Sequence, residues 1–299
     1  MKRIIDYEIS DEYDGISLRD YLILKGASRQ VLKEFKFGPS CAYINNEAAR
    51  LWQSLAAKDR LRIELIETLS SERIPPVNLP LDIIYEDEDI LVVNKPYDMP
   101  IHPSLNNYEN SLANAVAYYY QNKGEAFVYR CINRLDRDTS GLTVIAKNIL
   151  SAGILYEEQQ KDMLKKKYIA IVVGEDLDDV GTIDLPIGRD LTSTITRKID
   201  FEHGDKAVTH YRVISKNNGL SLVNLRLETG RTHQIRVHMS AIGHPLIGDF
   251  LYNPDNKEAT RQALHAKTLS LVQPITGEHL TFDAPLPDDM AKVISDNNL

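Results

Sequence analysis

Arg134-Leu135-Asp136-Arg137-Asp138-Thr139-Ser140-Gly141-Leu142 places a carboxylate between two arginines and closes on a turn-forming Ser-Gly pair. Opposite charge within a few ångström favours the ionised carboxylate. Asp136 therefore reads as a charged nucleophile or electrostatic stabiliser and not as a proton donor. The apolar run after it, Leu142-Thr143-Val144-Ile145-Ala146, reads as a buried strand, which sets the charged loop beside rigid structure. Taken alone, the same nine residues could also make a surface salt-bridge cluster on a turn, an arrangement worth little to stability.

Four further stretches bear on that choice. Val93-Asn94-Lys95-Pro96 is followed by His102-Pro103. Then come Lys166-Lys167-Tyr168-Ile169-Ala170, Thr229-Gly230-Arg231-Thr232-His233-Gln234-Ile235-Arg236-Val237-His238, and Gly243-His244-Pro245-Leu246-Ile247-Gly248-Asp249. In this order and at these separations they resemble the RluA/RluD-type family of RNA pseudouridine synthases, over a span from about Leu79 to Leu286. A weaker resemblance, to the S4 RNA-binding module, covers residues 1 to 69.

Composition sets independent bounds. A chain of 299 residues with 43% hydrophobic content can build one large domain plus a small one. No apolar run of ~18 residues is present, and Met1-Lys2-Arg3-Ile4-Ile5-Asp6-Tyr7-Glu8 carries charge where a signal peptide needs an apolar stretch. A cytoplasmic protein without a membrane partner is the expectation. Cys41 and Cys131 fit neither a disulfide framework nor a cysteine-based zinc spacing, so free thiols and no metal are expected. The net charge of −8 opposes a protein that grips nucleic acid with its whole surface. Bases nevertheless cluster at Arg134 to Arg137, Lys161 to Lys167 and Arg226 to Arg236, while acids gather at Glu86 to Asp89 and Glu175 to Asp179. A cleft can concentrate one sign while the outer faces carry the other.

Residues 1–69 read as a compact α/β unit, with helical patterns over Leu18 to Leu24 and Ser28 to Phe35 and strands at Ala42 to Asn45 and Arg60 to Ile63. Ser28 is placed as the N-cap of the second helix, on which Arg29 and Lys33 share a face one turn apart. In the S4 pattern that helix lies against nucleic acid. Asn46 and Lys58 stand where the pattern usually has glycine. The unit could instead serve packing or a protein partner. Residues 70–80 are polar and proline-punctuated, an interdomain linker. From residue 81 to 299, a hairpin (Ile83 to Tyr85, Ile90 to Val93), helices at Leu112 to Tyr120 and Ile149 to Met163, and strands at Tyr168 to Val173, Val208 to Val213, Ser221 to Leu227 and Leu280 to Phe282 predict an α+β fold. A large mixed or antiparallel sheet is expected there.

Isomerising uridine to pseudouridine breaks the N1–C1′ bond, turns the base and joins C5 to C1′. Nothing is oxidised, so no redox cofactor is needed, and the chemistry asks for a carboxylate near the sugar, a route for the C5 proton and a pocket for the detached uracil. The resemblance implies that Asp136 is the catalytic aspartate, either attacking C1′ or taking a proton from C2′. It implies that Tyr168 lies against the base, where stacking is worth about 1–3 kcal/mol, and takes part in removing the C5 proton. It implies that Arg236 pairs with Asp136, and that Arg134 enters the RNA stack to displace the target nucleotide. Arg231, His233 and Lys166 would line the RNA-binding surface, with Arg29 and Lys33 contributing from the small domain. On a regular strand Arg231 and His233 would share one face and Arg236 would lie on the other, so a turn or bulge near Gly230 is required. The family commonly has His at position 133, where this chain has Asn133. Lys95, Pro96, His102 and the Gly243 to Asp249 segment read as wall and loop structure.

Two alternatives remain at this level, and the metal readings are disfavoured. One is a non-catalytic RNA-binding or ribosome-assembly protein that retains the fold. Another is a glycosidic hydrolase with Asp138 as proton donor. A metal on Asp136 and Asp138 would compete with Arg134 and Arg137, and His233 and His238 are five apart instead of the four that a helical zinc motif requires. The choice between ribosomal and transfer RNA is assigned to the first domain and to the loops Ser104 to Asn110 and Arg189 to Arg197. Nothing demands a second copy, and a monomer is expected.

Overall fold

The computed structural model of the chain describes residues 1–105 and 107–299. Asn106, inside the Ser104 to Asn110 loop, lies outside the described residues.

The first unit is built from β1 (Lys2–Glu8), α1 (Leu18–Leu24), α2 (Arg29–Phe37), β2 (Cys41–Ile44), β3 (Glu47–Ala48) and β4 (Arg60–Ile66). Alternation in β4 turns Leu61, Ile63 and Leu65 onto one face, where they meet Leu18, Tyr21 and Leu22 of α1 and Val31 of α2. Both helices start on a serine whose side chain accepts a backbone N–H, Ser17 from Asp20 and Ser28 from Val31. The strands order as β1-β4-β2-β3, all antiparallel. Asn46 and Lys58 both take left-handed backbone, with φ of 70° and 71°, so the conformation that glycine would favour is kept without glycine.

Residues 67–82 carry no helix or strand and lead to a nine-stranded mixed sheet. Its strands are β5 (Ile83–Glu86), β6 (Ile90–Lys95), β7 (Ser140–Ala146), β8 (Lys165–Val173), β9 (Val180–Asp184), β12 (Val208–Asn217), β13 (Leu220–Leu227), β14 (Leu264–Val272) and β15 (His279–Asp283). A separate hairpin, β10 (Ile187–Arg189) with β11 (Arg197–Ile199), projects between β9 and β12 in sequence. The sheet order is β5-β6-β7-β14-β8-β13-β12-β9, with β15 beside β14. Among the described residues only β7 and β14 run parallel, joined through Ser140–His265 and Gly141–Ala266. Every residue of β7 is buried. Helices α3 (Leu112–Asn122), α4 (Ile149–Gln160), α5 (Gln234–Ala241) and α6 (Asp288–Asp296) complete the chain, which is α+β as its sequence predicts.

The two units share a packed seam. Ile149, Leu150 and Ile154 of α4 enter the core of the first unit. Arg3 donates to both oxygens of Asp89 (3.0 and 2.8 Å), and Asp89, 1% exposed, also accepts from Asn148, Ser151 and Gln273. The acidic turn Glu86 to Asp89 is thus an anchor: Glu86 takes Tyr119, Tyr120, Lys123 and Lys147, and their donors hold its carboxyl down at about 2 against the opposing effect of burial.

Candidate active site

Asp136 lies on the short loop that leads into β7. Gly141 lets β7 start where it does, because its φ is 112° and a Cβ there would overlap the Ala266 backbone. Two buried cations then grip consecutive carbonyls of the loop. Lys95, fully buried, donates to the carbonyls of Pro96, Met99 and Arg137 (2.7, 2.8 and 2.9 Å). Burial pushes its pKa down to about 7, against the pull of Asp136 and Asp138. Arg261, 4% exposed, donates to the carbonyl of Asp138 at 2.9 Å and is itself held bidentately by Asp289 of α6.

The arginines flanking Asp136 in sequence are not its partners. Arg137 turns onto Asp138 (3.0 and 2.8 Å), and Arg134 is exposed at the cleft. The cation on Asp136 arrives instead from α5, exactly one hundred residues later in the chain: Arg236 Nη1 donates to Asp136 Oδ2 at 3.2 Å. The segment around Arg236 is not a strand. The chain turns over Thr232 and His233, His233 takes a left-handed φ of 57°, and α5 begins at Gln234. That turn supplies the rearrangement the sequence required, and on a helix the question of alternating faces disappears.

Arg236 is 2% exposed, and its other two nitrogens both donate to Asp249 at 2.7 Å. Asp249 is fully buried and also accepts from the backbone N–H groups of Leu251 and Tyr252. A bidentate carboxylate fixes the plane of the guanidinium, so Arg236 reaches Asp136 with one nitrogen in a set direction. Asp136 is consequently held on one side. Oδ2 takes Arg236 and lies 4.0 Å from His233 Nε2, whereas Oδ1 has no hydrogen-bond partner among the described residues.

A cleft of about 660 Å³ opens beside Asp136. Asp136, Tyr168, Arg236, Arg134, Lys166, Arg231 and His233 all line it, with Ile101, Leu135, Ile235 and Leu264 as apolar wall. Tyr168 and Lys166, two apart on β8, share a face. Tyr168 is buried, and burial together with Asp136 raises its hydroxyl pKa, so it keeps its proton at neutral pH. Burial lowers the pKa of Lys166. It also lowers that of His233 although Asp136 opposes it, and His233 is thus neutral near pH 7. Arg231 sits at the rim, with Nε on the Lys206 carbonyl. Arg29 and Lys33 are elsewhere, on α2 of the first unit. His102 also lines the cleft, edge-on to Tyr129.

The site therefore combines a fixed, one-sided carboxylate, a protonated phenol, an apolar slot and several cations at its mouth, which suits a sugar, a base and flanking phosphates. Asp249, Lys95 and Arg261 carry no functional signal in the sequence, where they read as loop, wall and nothing in particular. Their signal, a charged residue inside otherwise apolar surroundings, becomes readable only once burial is known. Among the described residues no group of three or more His, Cys, Asp or Glu is placed to hold a metal ion, and no helix is long and apolar enough to cross a membrane.

Residues 89–241 match the family model for RNA pseudouridylate synthase. A Bacillus subtilis protein named as the uncharacterized RNA pseudouridine synthase YjbO is 42% identical over 284 residues, 95% of this chain and 100% of that protein. The Haemophilus influenzae ribosomal large subunit pseudouridine synthase D is 41% identical over 249 residues, covering 78% of this chain and 76% of the relative. Among solved structures, human RNA pseudouridylate synthase domain containing 1 superposes with a TM-score of 0.59 at 30% identity, over 71% of this chain and 85% of that one. With the motifs, the sheet and the cleft in agreement, the chain belongs to the RNA pseudouridylate synthase family and is an RNA pseudouridine synthase.

Proposed function

We propose that Asp136 is the catalytic carboxylate and that the enzyme isomerises uridines in structured RNA, with ribosomal RNA of the large subunit as the favoured substrate and transfer RNA as the alternative. The one-sided hold on Asp136 carries this reading. Arg236 occupies Oδ2, Oδ1 has no hydrogen-bond partner among the described residues, and Asp136 lines the cleft, so Oδ1 is the oxygen that either bonds to C1′ as N1 departs or takes the C2′ proton. Tyr168 packs against the base and, as a phenol, serves as a hydrogen-bond donor; its raised pKa disfavours a phenolate that abstracts the C5 proton. Arg134, exposed beside Asp136, fills the stack that the flipped uridine leaves.

Residues 1–69 we assign as an S4-like RNA-binding domain, 70–80 as its linker and 81–299 as the catalytic domain. Arg29, Lys33 and Lys36 form no ion pair among the described residues, and Phe37 beside them is 77% exposed, a combination suited to phosphates and bases. The substrate class supports action in the cytoplasm, and a monomer is proposed alongside it. A hydrolase reading loses its second acid, because Asp138 is 9% exposed, bound by Arg137 and outside the cleft lining.

The test is tritium release from ribosomal and transfer RNA labelled at uridine C5, with wild type and Asp136→Asn. Release by wild type alone is expected, at mapped positions in ribosomal RNA, with the variant still folded. Turnover by a folded Asp136→Asn overturns the assignment. No release by wild type from either RNA, despite binding, would instead favour a non-catalytic assembly factor.

A further inference from the structure

One side chain outside the cleft lining contacts both groups that face Asp136 Oδ2, Arg236 and His233. Tyr252 follows Asp249 by three residues, and its backbone N–H is bound to the Asp249 carboxylate at 3.2 Å. Its ring lies 5.1 Å from the Arg236 guanidinium carbon and edge-on to the His233 ring, 5.8 Å between centroids. Its hydroxyl accepts the backbone N–H of Arg197 at 2.8 Å and lies 3.0 Å from His233 Nδ1. On its far side His233 presents Nε2 to Asp136 Oδ2 at 4.0 Å.

We infer that Tyr252 is a positioning residue that acts through His233: it fixes the imidazole as the Nε2–H tautomer and aims that N–H at the oxygen of Asp136 already held by Arg236. The Tyr252 hydroxyl has one proton, and with Arg197 donating to its oxygen, the acceptor within reach among the described residues is His233 Nδ1. A neutral ring that accepts at Nδ1 carries its proton on Nε2. A second donor facing Oδ2 biases the carboxylate further toward reacting through Oδ1. The left-handed backbone of His233 turns its ring out of the helix that follows and into this position, a conformation that a non-glycine residue adopts at some cost. Because Arg197 opens β11, the seat of the β10–β11 hairpin and the orientation of His233 share one oxygen atom.

The inference rests on Asp136 being the reacting carboxylate, and a double-mutant cycle separates the two. Single-turnover rates and RNA dissociation constants would be measured for Tyr252→Phe, His233→Ala, His233→Gln and the Tyr252→Phe/His233→Ala pair, with thermal unfolding as the fold control. Tyr252→Phe is expected to lower the rate about tenfold, the loss of one aligned hydrogen bond, with RNA affinity unchanged. The pair should be no slower than His233→Ala alone. His233→Gln, whose amide N–H stands where Nε2–H was, should recover part of the rate. Equal loss from Tyr252→Phe in both backgrounds, or an effect on RNA affinity alone, overturns the relay while leaving Asp136 untouched. Should Tyr252→Phe not fold, equal rates for His233→Gln and His233→Ala overturn it. Turnover by Asp136→Asn would remove the premise instead.

Discussion

Arg236 shows how much of this site is decided by one buried side chain and its counter-ion. Its charge is balanced by Asp249 from behind and Asp136 in front, so removing Asp249 leaves a guanidinium in the interior with one remaining carboxylate partner. Asp249→Ala should destabilise the protein by about 3–5 kcal/mol, the usual cost of breaking a buried pair, measured by urea unfolding. It should also abolish turnover, since the direction of Arg236 is lost. His265 is the opposite case, a buried base with no counter-ion. It is 1% exposed, and Nδ1 lies 3.0 Å from Ser140 Oγ. Burial first, then Arg261 and Lys267, push its pKa down to about 4 from the ordinary 6.5. Between those values the unfolded chain binds a proton that the native state refuses. Stability therefore falls as pH drops from about 6.5 to about 4, by up to about 3 kcal/mol. His265→Asn should flatten the stability–pH curve in that window.

At the level of elements, the junction of β7 and β14 is the point on which the site depends. Gly141→Ala would need a side chain at φ 112° and in the space of the Ala266 backbone. A loss of about 3 kcal/mol is expected from overpacking and backbone strain together, visible as a lower thermal midpoint, along with displacement of the Asp136 loop. The strands legible in sequence have clean patterns: β7 as a continuous apolar run, and β2, β4, β8, β12, β13, β15 and the β5–β6 hairpin by composition and punctuation. β14 went unread although it sits mid-sheet, because its register against β8 shifts between Ala266 and Thr268 and the alternation that marks a strand is broken there. The residues of α5 were read with a strand period for a similar reason. Arg231, His233 and the intervening Thr232 do alternate, but they form the turn before the helix. Motif spacing located Asp136, Tyr168 and Arg236, and the cleft brings all three together. The charged loop by itself points to Arg134 and Arg137, and only the family resemblance points to Arg236, the arginine that faces Asp136 across a hundred positions of chain.

Over the whole molecule, the seam at Arg3 and Asp89 ties the first unit to the sheet. Arg3→Ala would strand the Asp89 carboxylate among neutral donors, Asn148, Ser151 and Gln273. A cost of about 3 kcal/mol is expected, read as faster protease cleavage within residues 70–80 while the sheet stays intact. The charge of −8 coexists with a cleft ringed by Arg134, Lys166 and Arg231, so most of the surface repels a polyanion and one region admits it. The grip of Lys95 and Arg261 on the carbonyls of Arg137 and Asp138 has a further consequence. With the carboxylate already locked before any RNA arrives, the partner that must rearrange is the RNA. The temperature dependence of turnover will then track the melting of the substrate's own helix, and a loosened transcript will react faster than a folded one.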